Sequence, residues 1–170
     1  MDYNFFQEVD MRKAIVITLL VIGIGKANAI FMDDVYAKML CDAWNKTPQL
    51  VDNLGKSESW SQIAERKLFL YREDCPNSKQ IQLTIKNEDS KARCVYGGFA
   101  KDQRSKDDFL MYAQTSRWLE MGAKAYGPMK AMMTNRLKFE GPRGVAMKNM
   151  GPFEAFLDLI DQQSDSSKCP

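Results

Sequence analysis

Residues 126–160 read YGPMKAMMTNRLKFEGPRGVAMKNMGPFEAFLDLI, and three Gly-Pro pairs divide this stretch into short apolar units. Proline favours the first turn of a helix because its φ is preset and its missing N–H would have no partner there. We therefore expect helices to begin at Pro128, Pro142 and Pro152. The apolar residues of the last unit fall at i, i+3, i+4 and i+7, one stripe of an amphipathic helix: Phe153, Phe156, Leu157 and Ile160.

A short strand is predicted after the first of these helices. Thr134-Asn135 ends the Pro128 helix, since asparagine tolerates the left-handed conformation. In residues 136–140, RLKFE, apolar residues alternate with charged ones. This alternation is typical of a half-buried strand, with Leu137 and Phe139 facing inward.

Methionine is concentrated in the same region. Seven of the chain's eleven methionines lie within forty residues: Met111, Met121, Met129, Met132, Met133, Met147 and Met150. A flexible, polarizable side chain suits a surface that moulds around an irregular apolar ligand. Ordinary core packing also explains the same spacing, and the spacing by itself favours it. The residues alone leave both interpretations open.

Residues 118–160 resemble the C-terminal half of the sterol carrier protein type 2 family, which consists of non-specific lipid-transfer domains. The resemblance rests on the Trp118 helix, on Pro-x-x-Ala-Met-Met from Pro128, on the Arg-Leu-Lys-Phe strand and on the closing aromatic helix. Asn135, where the family often has glycine, and Arg143-Gly144, which replace an acidic residue, are departures in turns. Ala43-Trp44-Asn45 followed by Pro-x-Leu-Val extends the resemblance to residues 33–162.

The resemblance implies an α/β (α+β) fold, a five-stranded, mainly antiparallel sheet with helices packed on one face enclosing an apolar tunnel. It implies a protein that binds and carries sterol, fatty acyl or other lipid-like ligands with loose specificity and no chemistry, the C-terminal helix acting as a lid. The implied tunnel lining or lid comprises Trp118, Met121, Met129, Met132, Met133, Leu137, Phe139, Phe153, Phe156, Leu157 and Ile160. The alternative is a non-liganded interaction or lid module of the same fold, whose cavity is filled by its own side chains.

The rest of the domain is predicted from local patterns. Asp33 or Asp34 caps a helix whose broad apolar face comprises Val35, Tyr36, Met39, Leu40, Ala43 and Trp44. A short helix follows from Thr47-Pro48 to Gly55. Strands 66–73 and 79–87 form a hairpin, and a third strand starts at residues 94–96 and runs into Gly97-Gly98, where we expect a bulge or the close approach of another backbone. Residues 107–113 form a fourth strand, and Thr115 or Ser116 caps the Trp118 helix.

Residues 1–29 are predicted to be a signal or targeting segment. Arg12-Lys13 precedes an apolar run from Ala14 to Gly25, and Ala27-Asn28-Ala29 is a small-x-small cleavage site. The run is too short to span a bilayer, which needs about 18 residues. We expect a mature chain that starts near Ile30 and is periplasmic or secreted, with a cytoplasmic protein as the alternative. The domain then spans 33–162, and the polar residues 163–170 form a flexible, frayed tail.

Several function classes are excluded by composition. The chain has no histidine, so it lacks the side chain that most often shuttles protons and binds metal ions. Its net charge is only +2, far from the strongly basic surface of a nucleic-acid-binding protein. No phosphate-binding glycine motif occurs. We predict no catalytic residue, no cofactor, no metal and no nucleic-acid partner. Four basic residues are candidates for transient contact with an anionic membrane surface, or equally for a solvated face: Arg136, Lys138, Arg143 and Lys148.

Four cysteines remain: Cys41, Cys75, Cys94 and Cys169. None lies in a CxxC arrangement, so a zinc site is not expected. The even count invites disulfides in an exported chain, but Cys75 and Cys94 belong at opposite ends of the predicted sheet. We therefore expect reduced or partly buried thiols.

Overall fold

The computed structural model describes residues 29–160 and 164–170. The predicted targeting segment, apart from Ala29, lies outside the described residues. Within the described ranges no helix is both long enough and apolar enough to cross a membrane. A π-helical segment spans Gln49–Asn53. The helices are α1 (Asp34–Asn45), α2 (Leu54–Lys56), α3 (Glu58–Ser61), α4 (Thr115–Gly122), α5 (Pro128–Met133), α6 (Arg143–Lys148) and α7 (Met150–Leu157). The strands are β1 (Glu65–Arg72), β2 (Ile81–Glu88), β3 (Lys91–Phe99), β4 (Phe109–Ala113) and β5 (Lys138–Glu140).

The five strands form one sheet in the order β3-β2-β1-β4-β5. The predicted β1–β2 hairpin is confirmed, with Leu70 opposite Ile81. Strand β4 runs parallel to β1, and the other pairings are antiparallel. Strand β4 buries Phe109 and Met111 on one face, because alternate side chains of a strand point to the same face. The predicted α+β class with a mainly antiparallel five-stranded sheet is therefore confirmed.

Helix α1 packs on β2 and β3 through a narrower face than the pattern predicts. The predicted cap is correct, because the Asp33 side chain accepts a hydrogen bond from the Tyr36 backbone N–H. Val35 and Met39 were wrongly assigned to the buried face, since they are 41% and 38% exposed. The buried residues are Tyr36, Ala37, Leu40, Cys41 and Trp44.

The position of α1 depends on Gly97 in β3. A Cβ atom on Gly97 would lie 2.2 Å from the Ala37 carbonyl oxygen, so only glycine lets the helix backbone lie this close to the strand. The predicted close approach at Gly97-Gly98 is thus confirmed. A change of register between Thr84 and Ile85 also marks a bulge in the same strand pair.

The prediction of reduced thiols is wrong, because two disulfides are present, Cys41–Cys94 and Cys75–Cys169. The tight contact between α1 and β3 brings Cys41 to a Cα separation of 5.4 Å from Cys94. The second pair joins the turn after β1 to the C-terminal segment, 94 residues away along the chain. The argument against a Cys75–Cys94 pair was correct, but each cysteine has another partner in space.

Residues 164–170 are held against the sheet. The buried Arg72 donates hydrogen bonds to the carbonyl oxygens of Ser166 and Lys168, at 2.9 and 2.6 Å, and Asp165 forms a β-bridge with Ile30. The expectation of a frayed tail took no account of these bonds or of the disulfide to Cys169. The predicted domain boundaries remain predictions.

The proline-bounded units in residues 126–160 mostly form as predicted. Pro128 is the first residue of α5, and Asn135 adopts a left-handed φ of 56°. Pro142 directly precedes α6, but Pro152 lies within the first turn of α7 rather than at its start. Strand β5 is shorter than predicted, and Ile160 is buried in the turn that follows α7.

The predicted cap of α4 is wrong. The helix begins at Thr115 after Gln114, and no side chain caps its first turn. The Thr115 hydroxyl donates instead to the Asp74 carboxylate at 2.8 Å and accepts a hydrogen bond from Arg72 at 2.6 Å. These contacts join the start of α4 to the end of β1.

Candidate ligand-binding site

A small cavity lies between the helices and the core face of the sheet. We call it the aromatic cavity, and its volume is about 40 Å³. Residues from the N-terminal helices, three strands and the C-terminal helices enclose it. They are Trp44, Leu50, Leu54, Trp60, Leu68, Phe109, Met111, Phe139, Ala146, Asn149, Pro152, Phe153 and Phe156.

The aromatic rings around this cavity contact one another in sequence. Trp60 stacks on Phe109 with a centroid distance of 5.7 Å, and Phe109 lies 5.5 Å from Phe139. Phe139 in turn lies 5.8 Å from Phe153. Trp44 lies 6.4 Å from Trp60 and 5.9 Å from Phe156. Aromatic pairs at such distances add to the energy of burial, so these walls are well packed.

The size of the aromatic cavity limits what it can hold without movement. Sites for small organic ligands usually measure roughly 300–1,000 Å³, whereas a water molecule needs on the order of 10–15 Å³. A volume of about 40 Å³ therefore accepts a small chemical group but not a whole sterol or acyl chain. A larger ligand must also use space outside this cavity.

A larger groove opens beside the edge strand β5. We call it the methionine groove, and its volume is about 600 Å³. Its apolar part comes mainly from the methionines of α5 and from Leu137 and Phe139 at β5, and Met133 is 79% exposed. The lining residues are Tyr112, Met129, Met132, Met133, Asn135, Leu137, Lys138, Phe139, Glu140, Arg143 and Met147. This volume falls within the range of ligand sites, and methionine adapts to varied apolar shapes.

Phe139 is the residue that the two spaces share. It lies at the centre of β5 and is 7% exposed. Its ring contacts Phe109 and Phe153, both of which line the aromatic cavity. Phe139 is therefore the wall between the aromatic cavity and the methionine groove.

The residues predicted to line the tunnel fall into three groups. Phe139, Phe153 and Phe156 line the aromatic cavity. Met129, Met132, Met133, Leu137 and Phe139 line the methionine groove. Trp118, Met121, Leu157 and Ile160 are buried but line neither space. Trp118 donates its indole N–H to the Tyr71 carbonyl oxygen at 3.2 Å, as a core tryptophan does. The ligand-binding role of all these residues stays a prediction.

Several lining residues were not predicted as part of the site. Trp44, Leu68 and Phe109 were correctly placed in a helix and two strands. No pattern within those segments indicates that they meet around one cavity. Trp60 fell in no predicted element, although an isolated tryptophan between two apolar segments is a usable signal. Asn149 was missed because it interrupts no periodic pattern.

A buried arginine lies behind the aromatic walls. Arg66 is 2% exposed, and its guanidinium carbon lies 5.3 Å from the Trp60 ring and 5.9 Å from the Phe109 ring. It donates hydrogen bonds to the carbonyl oxygens of Ser59, Trp60 and Asp107. Burial lowers the pKa of Arg66, but a guanidinium remains charged at neutral pH. These bonds hold the backbone at Ser59 and Trp60, and the Trp60 indole N–H donates to the Asn87 side-chain oxygen at 2.9 Å.

The four basic candidates differ in their surroundings. Arg136 lies 4.6 Å from the Tyr126 ring centroid and 4.0 Å from a Glu120 carboxylate oxygen. Lys138 is paired with Glu73. Arg143 and Lys148 are exposed and form no ion pair with any described residue. Only these two are available to an outside anionic partner without breaking a pair.

The part of the chain that the structure describes offers no candidate metal centre. No three acidic or cysteine side chains there come close enough to hold a metal ion. All four cysteines are in disulfides. The aromatic cavity is lined by apolar and aromatic side chains together with Asn149, whereas the methionine groove also has charged residues in its lining.

Comparisons with known proteins agree with this geometry. A crystal structure of sterol carrier protein 2 is 13% identical, with a TM-score of 0.50 over 78% of this chain and 98% of that chain. A conserved hypothetical protein from Thermus thermophilus, described as possibly a sterol carrier protein, is 14% identical, with a TM-score of 0.51 over 85% of this chain and 99% of that chain. At these identities the two structures show a shared fold.

No curated protein matches the sequence. The model of the SCP-2 sterol transfer family, however, matches residues 51–154. These residues include all five strands and most of both lining sets. The match spans more than half of the chain, and this chain belongs to the SCP-2 sterol transfer family.

Proposed function

We propose that this protein binds and carries a lipid-like ligand, such as a sterol or a fatty acyl chain, with loose specificity and no chemistry. The observation that supports this function best is the shared wall. Phe139 alone among the lining residues belongs to both the aromatic cavity and the methionine groove. A ligand that lies in the groove and displaces this ring reaches apolar space on both sides.

The energetics favour such a ligand. Each buried CH₂ group contributes about 0.8 kcal/mol, and micromolar affinity requires about 8 kcal/mol net. A long acyl chain or a sterol carries enough carbon to reach this value even after the cost of lost freedom. Few polar contacts are needed, so loose specificity is expected.

We also propose that the mouth of the methionine groove contacts an anionic membrane surface during loading and unloading. Arg143 lines the groove and Lys148 belongs to the same helix, α6. The exposed Met133 and Met147 lie on the same groove. A basic residue near an anionic bilayer contributes about 1 kcal/mol, so two residues support a weak and reversible contact. A solvated face is the alternative for both.

Ligand binding is tested directly by native mass spectrometry of the purified protein and by titration with a fluorescent fatty acid. Met147→Glu places a charge in the groove and should weaken binding about tenfold, the effect of a poorly paired charge at an apolar contact. Val95→Glu is the matched control, because Val95 is 53% exposed on β3, at the opposite edge of the sheet. Equal affinity of the two variants would contradict a site in the groove.

The second candidate function is the non-liganded interaction or lid module. The small volume of the aromatic cavity favours it, because the protein's own side chains already fill most of that interior. Protein that carries no lipid after purification and binds no apolar probe would support this function against the carrier.

We propose further that the protein is exported, periplasmic or secreted, and begins near Ile30 when mature. The Ala27-Asn28-Ala29 site and the apolar run before it support cleavage. The two disulfides add support, since such bonds persist in oxidising compartments. N-terminal sequencing of protein from separated cell fractions tests the proposal. Chains with an intact Met1 or Met11 in the cytosol would contradict it and favour the cytoplasmic alternative.

A further inference from the structure

The aromatic cavity contains one buried polar side chain, Asn149. It is 6% exposed and lies between α6 and α7. Its amide nitrogen donates to the Val145 carbonyl oxygen at 2.7 Å and to the Ser59 hydroxyl oxygen at 3.0 Å. The Val145 carbonyl can only accept, so it fixes which end of the amide carries the nitrogen. Both N–H groups of the amide are therefore used.

The side-chain oxygen of Asn149 is left over. An asparagine before a helix usually accepts a hydrogen bond from a backbone N–H of the first turn, but this side chain does not cap α7. Oδ1 accepts no hydrogen bond from any described residue. No side-chain oxygen or nitrogen in the described residues is both fully enclosed and without a partner, so Oδ1 keeps some accessible surface. The space that Asn149 lines is the aromatic cavity.

The other polar groups around the cavity are occupied. The indole N–H groups of Trp44 and Trp60 donate to the Ala92 carbonyl and to the Asn87 side-chain oxygen, respectively. Arg66 lies behind the rings and directs its N–H groups at three backbone carbonyl oxygens. Among the side chains that line the cavity, the remaining hydrogen-bonding atom is thus an acceptor.

We propose that Asn149 selects lipids with a hydroxyl group and binds that group in the aromatic cavity, while the hydrocarbon body extends past Phe139 into the methionine groove. A hydroxyl can donate to Oδ1, whereas an ether or an ionised carboxylate cannot. The cavity of about 40 Å³ has room for such a group but not for a large charged one. This inference rests on the proposed carrier function and adds the polar group of the ligand and its orientation.

The test compares three ligands of equal chain length: decan-1-ol, 1-methoxydecane and decanoate at neutral pH. Trp44 and Trp60 line the cavity, so tryptophan fluorescence reports occupancy. One hydrogen bond predicts that decan-1-ol binds about two- to tenfold more tightly than the ether, and decanoate should bind no better than the ether.

Two variants assign the preference to one atom. In Asn149→Leu the ratio of alcohol to ether affinity should fall to about one. Ser59→Ala, the control, removes a partner of the amide nitrogen but leaves Oδ1, and should keep the alcohol preference. If Asn149→Leu does not fold, the wild-type ratio still decides.

Each other outcome overturns the inference in a distinguishable way. Equal binding of alcohol and ether by the wild-type protein, or an alcohol preference that survives in Asn149→Leu, refutes the role of Asn149 and leaves the carrier function intact. If none of the three ligands binds, the carrier function itself fails, and this inference fails with it.

Discussion

Replacing Phe139 with alanine should join the aromatic cavity to the methionine groove. Its ring is the shared wall, with Phe109 at 5.5 Å and Phe153 at 5.8 Å. If a ligand occupies both spaces, the wild-type protein must displace this ring whenever it loads. Phe139→Ala removes that step, because it joins the aromatic cavity, of about 40 Å³, to the methionine groove, of about 600 Å³.

The same substitution should lower stability and raise affinity. Phenylalanine-to-alanine changes in cores cost about 3–5 kcal/mol. We expect about 3 kcal/mol for Phe139, because one side of its ring already borders the open groove. In the wild-type protein a similar cost opposes ligand binding, since only molecules with the ring displaced are competent. Losing the ring's own contact with the ligand offsets about half of this gain, so the Kd should fall about tenfold.

Urea unfolding and titration with a fluorescent fatty acid on the same samples measure both effects. Phe69→Ala is the matched control, because Phe69 is 2% exposed in β1 but alternates with the core-facing Leu68 and Leu70. It should lose a comparable amount of stability without a change in affinity. If Phe139→Ala loses stability like the control and binds the probe no better than wild type, Phe139 is an ordinary core residue and the reasoning is refuted.

Three further predictions follow from the remaining structure. Cys75→Ser with Cys169→Ser should lower the free energy of unfolding by about 4 kcal/mol, since the disulfide closes a loop spanning a sequence separation of 94; unchanged urea midpoints would contradict this. Hydrogen bonds from Tyr126 and Arg117 hold the pKa of Glu120 below its ordinary value of 4.5, so their contribution is present above that pH and is lost as the pH falls below it. Urea unfolding of Glu120→Gln should therefore show a smaller loss of stability on acidification than wild type. Chelators should leave the Tm unchanged, because the chain has no histidine, and a stoichiometric metal found by elemental analysis would contradict that expectation.

Local signals predicted most of the strands and turns because their causes are local. Asn135 ends α5 through its own backbone preference. The alternation in residues 136–140 places Leu137 and Phe139 inward because a strand has a period of two. Asp33 caps α1 by accepting a hydrogen bond from the backbone N–H of Tyr36, only three residues further along the chain.

The failures have causes that lie far apart in the sequence. The buried face of α1 is set by the contact of Ala37 with Gly97, which no pattern within the helix contains. Cys169 finds Cys75 only because the C-terminal segment returns to the end of β1, where Arg72 binds its carbonyl oxygens. The aromatic cavity was missed as a unit for the same reason, since its walls converge from separate helices and strands.

The two kinds of side chain in the site divide the work of recognition. The aromatic walls other than Phe139 are rigid, since each ring has few rotatable bonds and contacts its neighbours at 5.7–6.4 Å. The methionines of the groove are flexible, and Met133 is largely exposed. A rigid cavity with one free acceptor distinguishes ligands by their polar end, whereas a flexible groove adapts to the rest. Loose selection among hydrocarbon bodies is therefore compatible with a preference for the group that reaches Asn149, because different residues contact the two ends of the ligand.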